Sequence, residues 1–505
     1  MLSNAVSLAL HGISALRVDI EVDIIKGLPN LTIVGLPDSV IRESKDRIRS
    51  AIENSGYEFP PKNFVVNLAP AGFKKQGANF DLPVAMTILQ STGQIECQME
   101  SIPMVGELSL DGRIKPVRGA ISMAIALYKL GYKKFIIPYN NRFEASAIDG
   151  IEIYPVEDIK MAIDALNGKL SPFKGEIKQL EINNDLNNFE DVKGQETARR
   201  GIEIAAAGRH NILLYGAPGS GKTMLAKRIP SIMPLLEMEK AIEATMIHSA
   251  SGVLPDGEGL IRIPPFRSPH HTASEAAIVG GGVNPGAGEV SLAHNGVLFL
   301  DEFVEFQNNV IQSLRQPLED REITVARAAG TVTFPADFML VAASNPCQCG
   351  YLFDDDIECS CPPAKIGRYY HKIAGPVVDR IDIEVLVNRV PYKDLLDYGK
   401  NETSENIKAR VMMAAEIQNK RFKDSSVCFN SRMGNRDIRR FCKIGSDDEV
   451  FFENAVKKLH ISARTFFKIL KVSRTIADLD NSPDLKRKHL LEAISYKNLY
   501  RNYKI

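Results

Sequence analysis

The sequence predicts an α/β protein that consists of two α/β domains followed by a helical C-terminal domain. Strand and helix patterns alternate up to about residue 168 and again over about 189–390, after which strand patterns disappear. The 505 residues suffice for about three domains, and 44% apolar with 25% charged residues is ordinary for a globular protein. We therefore expect an N-terminal domain over 1–168, a linker over 169–188, a second domain over 189–390 and a C-terminal helical lid over 391–505.

The N-terminal domain is predicted from two hydrophobic patterns, the alternation of a strand and the periodicity of an amphipathic helix. Residues 17–25 alternate polar and apolar side chains, as a half-buried strand does. Pro37, Asp38 and Ser39 then provide the start of an amphipathic helix. The remaining expected elements are a strand at 63–67, helices at 83–89 and 120–130, and a strand at 134–137. The linker prediction rests on Ser171-Pro172 and a polar, asparagine-rich run over 183–188, which cannot form a core.

The overall composition excludes several classes of protein. The 62 Lys and Arg residues balance 62 Asp and Glu residues, so binding of a nucleic acid requires a local basic patch. The longest apolar runs, such as 338–343, are far shorter than the about 20 residues of a membrane span. Asn4, Ser7 and His11 interrupt the N-terminal apolar stretch, so no secretory signal is expected and the location should be cytoplasmic.

A phosphate-binding loop is predicted in the second domain. The residues fit the pattern G-x-x-x-x-G-K-[ST] between an apolar strand at 211–215 and a helix at 224–229. The loop consists of Gly216, Ala217, Pro218, Gly219, Ser220, Gly221, Lys222 and Thr223. Its N–H groups would surround the phosphates of ATP, Lys222 would contact the β- and γ-phosphates, and Thr223 would bind Mg²⁺. A glycine-rich turn is the far weaker alternative.

Two further strand ends carry polar residues that suit nucleotide hydrolysis. Asp301 and Glu302 follow the apolar strand 297–300; Asp301 would hold Mg²⁺ and Glu302 would polarise the attacking water. Asn345 follows the apolar strand 338–343, between the other two strand ends, where it either orients that water or caps a turn before Pro346.

The P-loop and the polar strand ends resemble those of the AAA+ ATPases, and residues 189–195 look like the opening motif of the AAA+ adenine pocket. The more distinctive stretches are Val34-Gly35-Leu36-Pro37-Asp38, residues 266–272, Asn345-Pro346-Cys347 and residues 375–382. In these stretches the chain resembles the magnesium-chelatase-like group and, within it, the ComM/YifB family of bacterial competence-related proteins. The resemblance covers the whole chain, and it implies an AAA+ P-loop ATPase core with a helical lid.

The resemblance also implies two catalytic arginines, a ring and a DNA substrate. Arg380 matches the arginine finger that one subunit supplies to the next, and Arg464 matches the second sensor on the lid. Either could instead form a structural salt bridge. A trans-acting arginine requires a homo-oligomer, expected to be a hexameric ring. The implied function is a helicase that promotes branch migration on single-stranded or branched DNA during recombination in natural transformation. A magnesium-chelatase-type motor that remodels a partner protein is the alternative.

Two insertions are expected to carry the work on DNA. The glycine-rich stretch 252–289, called the insert below, and a hairpin at 322–334 with its tip at 328–330 resemble the helix-2 insert and the pre-sensor hairpin of the same group. Both would then point into the pore of the ring. His270 and His271 lie in the insert, and adjacent histidines suit metal chelation poorly, so a structural or pore role is favoured. The basic stretch 457–505 is a second candidate for phosphate binding, or else a solvated helix face.

Four cysteines within fifteen residues form a candidate zinc site. Cys347, Cys349, Cys359 and Cys361 would suit a tetrahedral, structural Zn²⁺, although C-x-C is tighter than the usual spacing and four free thiols remain the alternative. The segment 347–361 is called the Cys loop below.

The N-terminal domain resembles the proteolytic domain of Lon, on Gly106 to Gly112 and the strand near 134–138. That family uses a Ser nucleophile and a Lys base. Here residues 77–81 contain no serine and the region of Ile121-Ser122 contains no lysine, so we expect a catalytically inactive, Lon-protease-like scaffold or DNA-contacting domain. An ATP-dependent protease is therefore the least favoured function.

Overall fold

A four-stranded mixed sheet forms the centre of the N-terminal domain. The computed structural model describes residues 2–175, 188–282, 286–327, 330–354, 356–373, 377–390, 401–425, 427–459 and 461–497. The strands are β1 (Ser3–His11), β2 (Ser14–Ile25), β3 (Asn30–Val34) and β4 (Asn63–Ala69), in the order β1-β2-β4-β3. Only the β3–β4 pair is parallel.

Helices α1 (Ser39–Asn54) and α2 (Asp81–Ser91) belong to the same hydrophobic core as this sheet. The side chain of Asp38 accepts a hydrogen bond from Ile41 N at 2.9 Å and caps α1, at the start that the sequence predicts. The rest of the domain consists of β5 (Glu107–Leu108), β6 (Ile114–Lys115), α3 (Ala120–Lys129), β7 (Lys134–Pro138), α4 (Arg142–Ala145), β8 (Glu152–Val156) and α5 (Ile159–Leu166).

The core of the second domain is a parallel sheet. Its strands β9 (Ile212–Tyr215), β10 (Phe266–Arg267), β13 (Val297–Leu300), β16 (Met339–Ser344) and β17 (Ile383–Leu386) lie in the order β10-β13-β16-β9-β17. Parallel sheets are covered on both faces, which explains why β9, β13 and β16 are continuous apolar runs.

Helices and short strand pairs surround this sheet. They are α6 (Glu196–Gly208), α7 (Lys222–Ile232), α8 (Met238–Ser251), α9 (Glu275–Val279), β11 (Gly280–Gly281), β12 (Gly286–Ala287), α10 (Glu289–Leu292), α11 (Asn308–Ser313), α12 (Arg315–Asp320), β14 (Glu322–Arg327), β15 (Gly330–Pro335) and α13 (Pro363–Ile373). Strands β14 and β15 form the expected hairpin, whose tip residues 328–329 lie outside the described residues.

The lid is helical in its described part, as the sequence predicts. Its helices are α14 (Ser404–Arg421), α15 (Asn435–Phe441), α16 (Ser446–Lys458), α17 (Ala463–Leu479) and α18 (Arg487–Ser495). A buried chain of hydrogen bonds ties α17 to the sheet: His210 contacts Asp382 at 3.2 Å and Thr475 at 2.8 Å. No helix in the described part of the chain combines the length and the hydrophobicity of a membrane span.

The N-terminal domain packs directly against the second domain. Ile121, Ala147 and Leu260 form one buried cluster, and the Ser249 hydroxyl of α8 donates to the buried Glu144 carboxylate at 2.6 Å. Burial raises the pKa of Glu144, and the Ser249 hydrogen bond opposes this shift. Ile121, near the position that the resemblance to Lon gives for the lysine, therefore contributes to the contact between the domains.

The turn between β1 and β2 also contacts the pre-sensor hairpin. Ile13 packs against the apolar face of β14 and β15, whose buried residues are Ile323, Val325 and Phe334. A side chain at Gly12 would lie 2.5 Å from Val332, so glycine permits this close approach. The hairpin therefore has one face packed on the N-terminal domain.

Several elements were not predicted from the sequence. Strand β1 is buried at five consecutive positions, 5–9, so it lacks the alternation that identified β2. Strands β3 and β8 have only five residues each. Within the predicted linker, residues 176–187 lie outside the described residues. Phe173 packs against Phe143 with ring centroids 5.5 Å apart, so the start of the predicted linker is part of the N-terminal domain.

Candidate nucleotide and metal sites

Three polar groups lie side by side where neighbouring strands of the core sheet end. The P-loop follows β9, Asp301 follows β13, and Asn345 follows β16, which lies between the other two strands. In the register, Ser344 pairs with Tyr215 and Ala342 with Leu300. The structure thus places Asn345 between the other two strand ends, as the sequence analysis expected.

The P-loop joins β9 to α7. Because α7 begins at Lys222, the backbone N–H groups of its first turn face the loop and can bind an anion. Gly219 and Gly221 have φ angles of +75° and +94°, which only glycine adopts readily. A side chain at Gly216 would lie 2.3 Å from the carbonyl oxygen of Val387. The loop therefore needs glycine at these positions.

The Lys222 ammonium group lies inside the loop. It donates to the carbonyl oxygens of Gly216 at 2.8 Å and Ala217 at 2.9 Å, and lies 3.4 Å from Asn345 Oδ1. Burial lowers the pKa of Lys222, and the charge of Asp301 opposes this shift. Phosphate oxygens could take the place of these carbonyl contacts without moving the lysine out of the loop.

Thr223 and Asp301 form the candidate Mg²⁺ site. The Thr223 hydroxyl donates to Asp301 Oδ2 at 2.6 Å. A hydroxyl and a carboxylate in contact beside a phosphate loop are the oxygen ligands that Mg²⁺ takes in nucleotide sites, with phosphate oxygens and water as the others. The donor set thus fits Mg²⁺ with ATP.

Glu302 contacts a residue that sequence reasoning did not connect with it. Its φ angle is +51°, a conformation uncommon for a non-glycine residue, and its side chain is 59% exposed. Glu302 Oε2 lies 3.1 Å from His271 Nδ1, so the imidazole donates to the carboxylate when Nδ1 carries the proton. His270 stacks on His271 at 4.2 Å and contacts Thr272 instead. His271 is thus the histidine that belongs to the nucleotide site.

The insert is fixed at its base near this contact. Arg267 of β10 donates two hydrogen bonds to Glu289, at 2.6 and 2.8 Å, and so joins the two ends of the segment that contains His271. The sequence showed the histidine pair but gave no sign of its partner, because the contact forms only when β10 and β13 pair in the sheet.

Arg380 and Arg464 lie at the opposite edge of the sheet from the P-loop. The Arg380 carbonyl accepts from Asn211, which precedes β9, whereas the P-loop follows β9. The four residues of β9 separate these edges by roughly 10 Å. Arg380 forms an ion pair with Glu319, and Arg464 lies 3.7 Å from the same oxygen. Within the described part of the chain, neither guanidinium group contacts the P-loop.

These arginines line an open cavity of about 300 Å³ with a surplus of basic residues. Burial lowers the pKa of Lys468, in this cavity, to about 7. The acidic lining residues are Glu319, Asp379 and Asp382, and the basic ones are Arg209, Arg321, Arg380, Arg432, Arg464, Lys468 and Lys471. This region is called the basic cavity below.

The C-terminal basic stretch is not one exposed patch in the structure. Arg474 is buried and pairs with Asp478 at 3.0 Å, Tyr496 is buried, and Lys468 and Lys471 line the basic cavity. Residues 498–505 lie outside the described residues. The described cations of this stretch thus stabilise the lid and line the basic cavity, in addition to forming a solvated helix face.

The four thiols of the Cys loop converge on one point. Their sulfur atoms all lie within 4.8 Å of one another, and no other such cluster occurs in the described ranges. Tetrahedral Zn²⁺ with bonds of about 2.3 Å needs sulfur atoms about 3.8 Å apart. The Cys347–Cys349, Cys347–Cys359 and Cys349–Cys359 distances are 3.3, 3.7 and 3.5 Å. Burial raises the pKa of the Cys347 thiol to about 12. The cluster fits Zn²⁺.

The Cys loop lies directly against the nucleotide site. It begins two residues after Asn345, and a side chain at Gly350 would lie 2.5 Å from Pro218 of the P-loop. Asp354 pairs with Arg389, beyond β17, at 3.3 Å. The loop therefore supports both the P-loop and the strand end that carries Asn345.

Two features define an AAA+ P-loop ATPase fold: the strand that precedes Asn345 lies between the P-loop strand and the strand that precedes Asp301, and the helical lid packs on α6 and α7. Family models described as magnesium chelatase, subunit ChlI, match residues 188–395 and 20–141, and the model of the ChlI C-terminal part matches 401–497. The chain belongs to the ComM/YifB family within this magnesium-chelatase-like group.

Two relatives show the family over nearly full length. The chain is 41% identical over 502 residues to the uncharacterized protein YifB of Escherichia coli, covering 98% of this chain and 96% of the relative. It is 40% identical over 503 residues to the competence protein ComM of Haemophilus influenzae, covering 98% and 97%. Lon protease 2 of Bacillus subtilis is 28% identical over 153 residues, 28% of each chain, which fits the Lon-like N-terminal domain.

Proposed function

We propose that the protein is an ATP-dependent, ring-forming DNA motor, a helicase that promotes branch migration during recombination in natural transformation. The observation that carries the proposal is the separation of Arg380 and Arg464 from the P-loop of their own chain. We infer that these two cations, which are suited to phosphate, act on the nucleotide of a neighbouring copy. The proposed site of action is the cytoplasm.

Each residue of the nucleotide site has a proposed role in ATP hydrolysis. Lys222 binds the β- and γ-phosphates, and Thr223 and Asp301 hold Mg²⁺, in keeping with their 2.6 Å contact. Glu302 polarises the attacking water and Asn345 orients it. A structural Zn²⁺ in the Cys loop keeps the strand end of Asn345 in place.

The proposed ring completes each site with residues of two subunits. Arg380 acts as the arginine finger and Arg464 as the second sensor, and together they stabilise the charge that develops on the phosphates of the neighbour. The basic surplus of their cavity supports binding of an anion there. We propose six subunits, as in the resembling group.

The proposed DNA contacts are the insert and the pre-sensor hairpin. Thr272 to Ala277, in the insert, are largely exposed and lie next to His271, which contacts the catalytic carboxylate. The name of one relative, the competence protein ComM of Haemophilus influenzae, supports a role in the uptake or integration of DNA. The N-terminal domain serves as an inactive scaffold: Asn79, in the region where Lon carries its serine, donates to the carbonyl of Leu8 at 2.6 Å.

The alternative function is a magnesium-chelatase-type motor that remodels a partner protein, which the descriptions of the matching family models favour. The ATPase rate with and without single-stranded, duplex and branched DNA separates the two. We expect stimulation by DNA, and strongest stimulation by the branched form. The control is Glu302→Gln, which should bind ATP but turn over roughly 10²–10⁴-fold more slowly. A wild-type rate that no DNA changes would favour the chelatase-type motor.

A further inference from the structure

Glu319, near the end of α12, holds both arginines of the proposed ring chemistry. Arg380 pairs with Glu319 Oε1, and Arg464 Nη2 lies 3.7 Å from the same atom. The Arg380 side chain is only 10% exposed, whereas that of Glu319 is 51% exposed. The carboxylate thus approaches the two guanidinium groups from the solvent side of the basic cavity.

Two guanidinium groups around one anionic oxygen form a typical phosphate-binding arrangement. Arginine binds carboxylate and phosphate with the same planar set of donors, so either anion can occupy this position. The basic cavity has seven basic and three acidic lining residues, so an added anion is favoured there. Asp379 is the closer partner of Arg464, at 3.3 Å, but both side chains are more than half exposed, so this pair is weak; Glu319 is the carboxylate that reaches Arg464 and Arg380 together.

We propose that Glu319 competes with the nucleotide phosphate of the neighbouring subunit for Arg380 and Arg464. In the separate subunit the carboxylate holds both arginines, and on assembly the phosphate of the ATP bound to the neighbour takes its place. The proposal rests on the proposed function, because it requires that the two arginines act on a neighbouring copy. Glu319 would then set the concentration at which active rings form.

If Glu319 competes in this way, removing the charge of its carboxylate should favour ring assembly. Assembly must break the pairs of Glu319 with Arg380 and Arg464, and this opposes ring formation. Glu319→Gln keeps the size of the side chain and removes its charge, so the one carboxylate that both arginines share no longer competes with the phosphate. Because half-exposed ion pairs are individually weak, we expect the half-saturating protein concentration for ATPase activity to fall roughly threefold to tenfold.

The experiment is a titration of MgATP turnover per subunit against protein concentration, with sedimentation velocity in MgATP at the same concentrations. Glu319→Gln should reach the wild-type plateau at lower concentration. The matched control is Asp320→Asn, which neutralises the next, exposed carboxylate. Among the described residues Asp320 forms no ion pair with either arginine, so its titration should follow the wild type.

Two results would overturn the proposal. One is a half-saturating concentration of Glu319→Gln that equals that of the wild type. The other is a much lower maximal ATPase rate of Glu319→Gln in rings whose assembly sedimentation verifies, since Glu319 would then orient the arginines within the ring. Should Glu319→Gln melt far below the wild type, Glu319→Asp replaces it, because the shorter acid retains the charge but reaches less far; the same shift in the same direction is expected.

Arg380→Ala separates this proposal from the function on which it rests. In assembled rings, a wild-type plateau for Arg380→Ala would refute the trans role and with it the proposed ring chemistry, whatever Glu319→Gln does. An inactive Arg380→Ala together with an unshifted Glu319→Gln would refute the competition by Glu319 alone.

Discussion

At the scale of single residues, His271 connects the insert to the proposed general base. Nδ1 of its imidazole lies 3.1 Å from Oε2 of Glu302, whereas the adjacent His270 contacts Thr272. Two neighbouring side chains of the same type therefore have different partners. This difference makes the pair a natural test of positioning at the active site.

We predict that His271→Ala lowers kcat roughly tenfold while the Kd for ATP stays unchanged, because a hydrogen bond to a charged group is lost and the phosphate contacts come from the P-loop. Single-turnover kinetics and nucleotide titrations measure the two quantities. His271→Asn, which can still donate to the carboxylate, should restore part of the loss. His270→Ala is the control, and an equal loss of kcat in this variant would show that the pair acts only through local packing.

Local motifs were predictable at this scale, and distant contacts were not. The P-loop, Asp301 and Asn345 each follow a buried strand, so their position follows from the local sequence and the rule that parallel strands end at one edge. The contacts of Glu302 with His271 and of Glu319 with Arg464 depend on how separate elements pack. No pattern along the chain encodes such contacts.

At the scale of elements, the Cys loop joins the candidate zinc site to the candidate nucleotide site. We predict about one zinc ion per subunit in protein prepared without chelators. Replacing Cys347 and Cys361 by serine should release the metal and lower the melting temperature by roughly 5–10 °C, while changing ATP affinity less. Metal analysis and thermal denaturation measure both effects.

The control for the Cys loop is Cys428→Ser, since Cys428 is exposed and lies outside the cluster. The four residues would be free thiols if the wild-type protein contained no zinc and the doubly substituted variant melted at the wild-type temperature. The loop spacing indicated a metal site, but the contact of Gly350 with Pro218 required the structure, since glycine gives no sign of which backbone it approaches.

Elements with a clear period were predicted well, and uniformly buried ones were not. The predicted helix at 120–130 appears as α3 and the strand at 134–137 as β7, almost to the residue. Strand β1 has an apolar pattern without alternation, because it is covered by α2 and α3. Burial on both faces thus removed the signal on which the prediction depended.

At the scale of the whole molecule, the proposed ring combines the arginines of one subunit with the P-loop of another. We predict that mixing Arg380→Ala with Lys222→Ala restores some ATPase activity, because a mixed ring contains interfaces with Lys222 on one side and Arg380 on the other. Each variant alone should be nearly inactive, since arginine fingers contribute roughly 10³–10⁵-fold. Steady-state ATPase rates after subunit exchange give the measurement.

The control for mixing is the pair Lys222→Ala and Glu302→Gln. Both residues come from the subunit that supplies the P-loop. In a mixed ring every P-loop subunit therefore lacks either Lys222 or Glu302, and no ATPase activity should return. Two results together would show that Arg380 has only a structural role. Mixed rings of Arg380→Ala and Lys222→Ala would form but recover no ATPase activity, and Arg380→Ala alone would have an ATPase rate near that of the wild type.

The contact of Gly12 and Ile13 with the pre-sensor hairpin has a mechanical consequence. In the proposed motor, any force that DNA exerts on the hairpin is transmitted to the residues packed behind it. Here Val332 and the buried face of the hairpin rest on the β1–β2 turn, whose strands continue into the sheet of a separate domain. In the proposed motor, that domain would support the hairpin from behind, so a force on the hairpin would be shared by two folded domains.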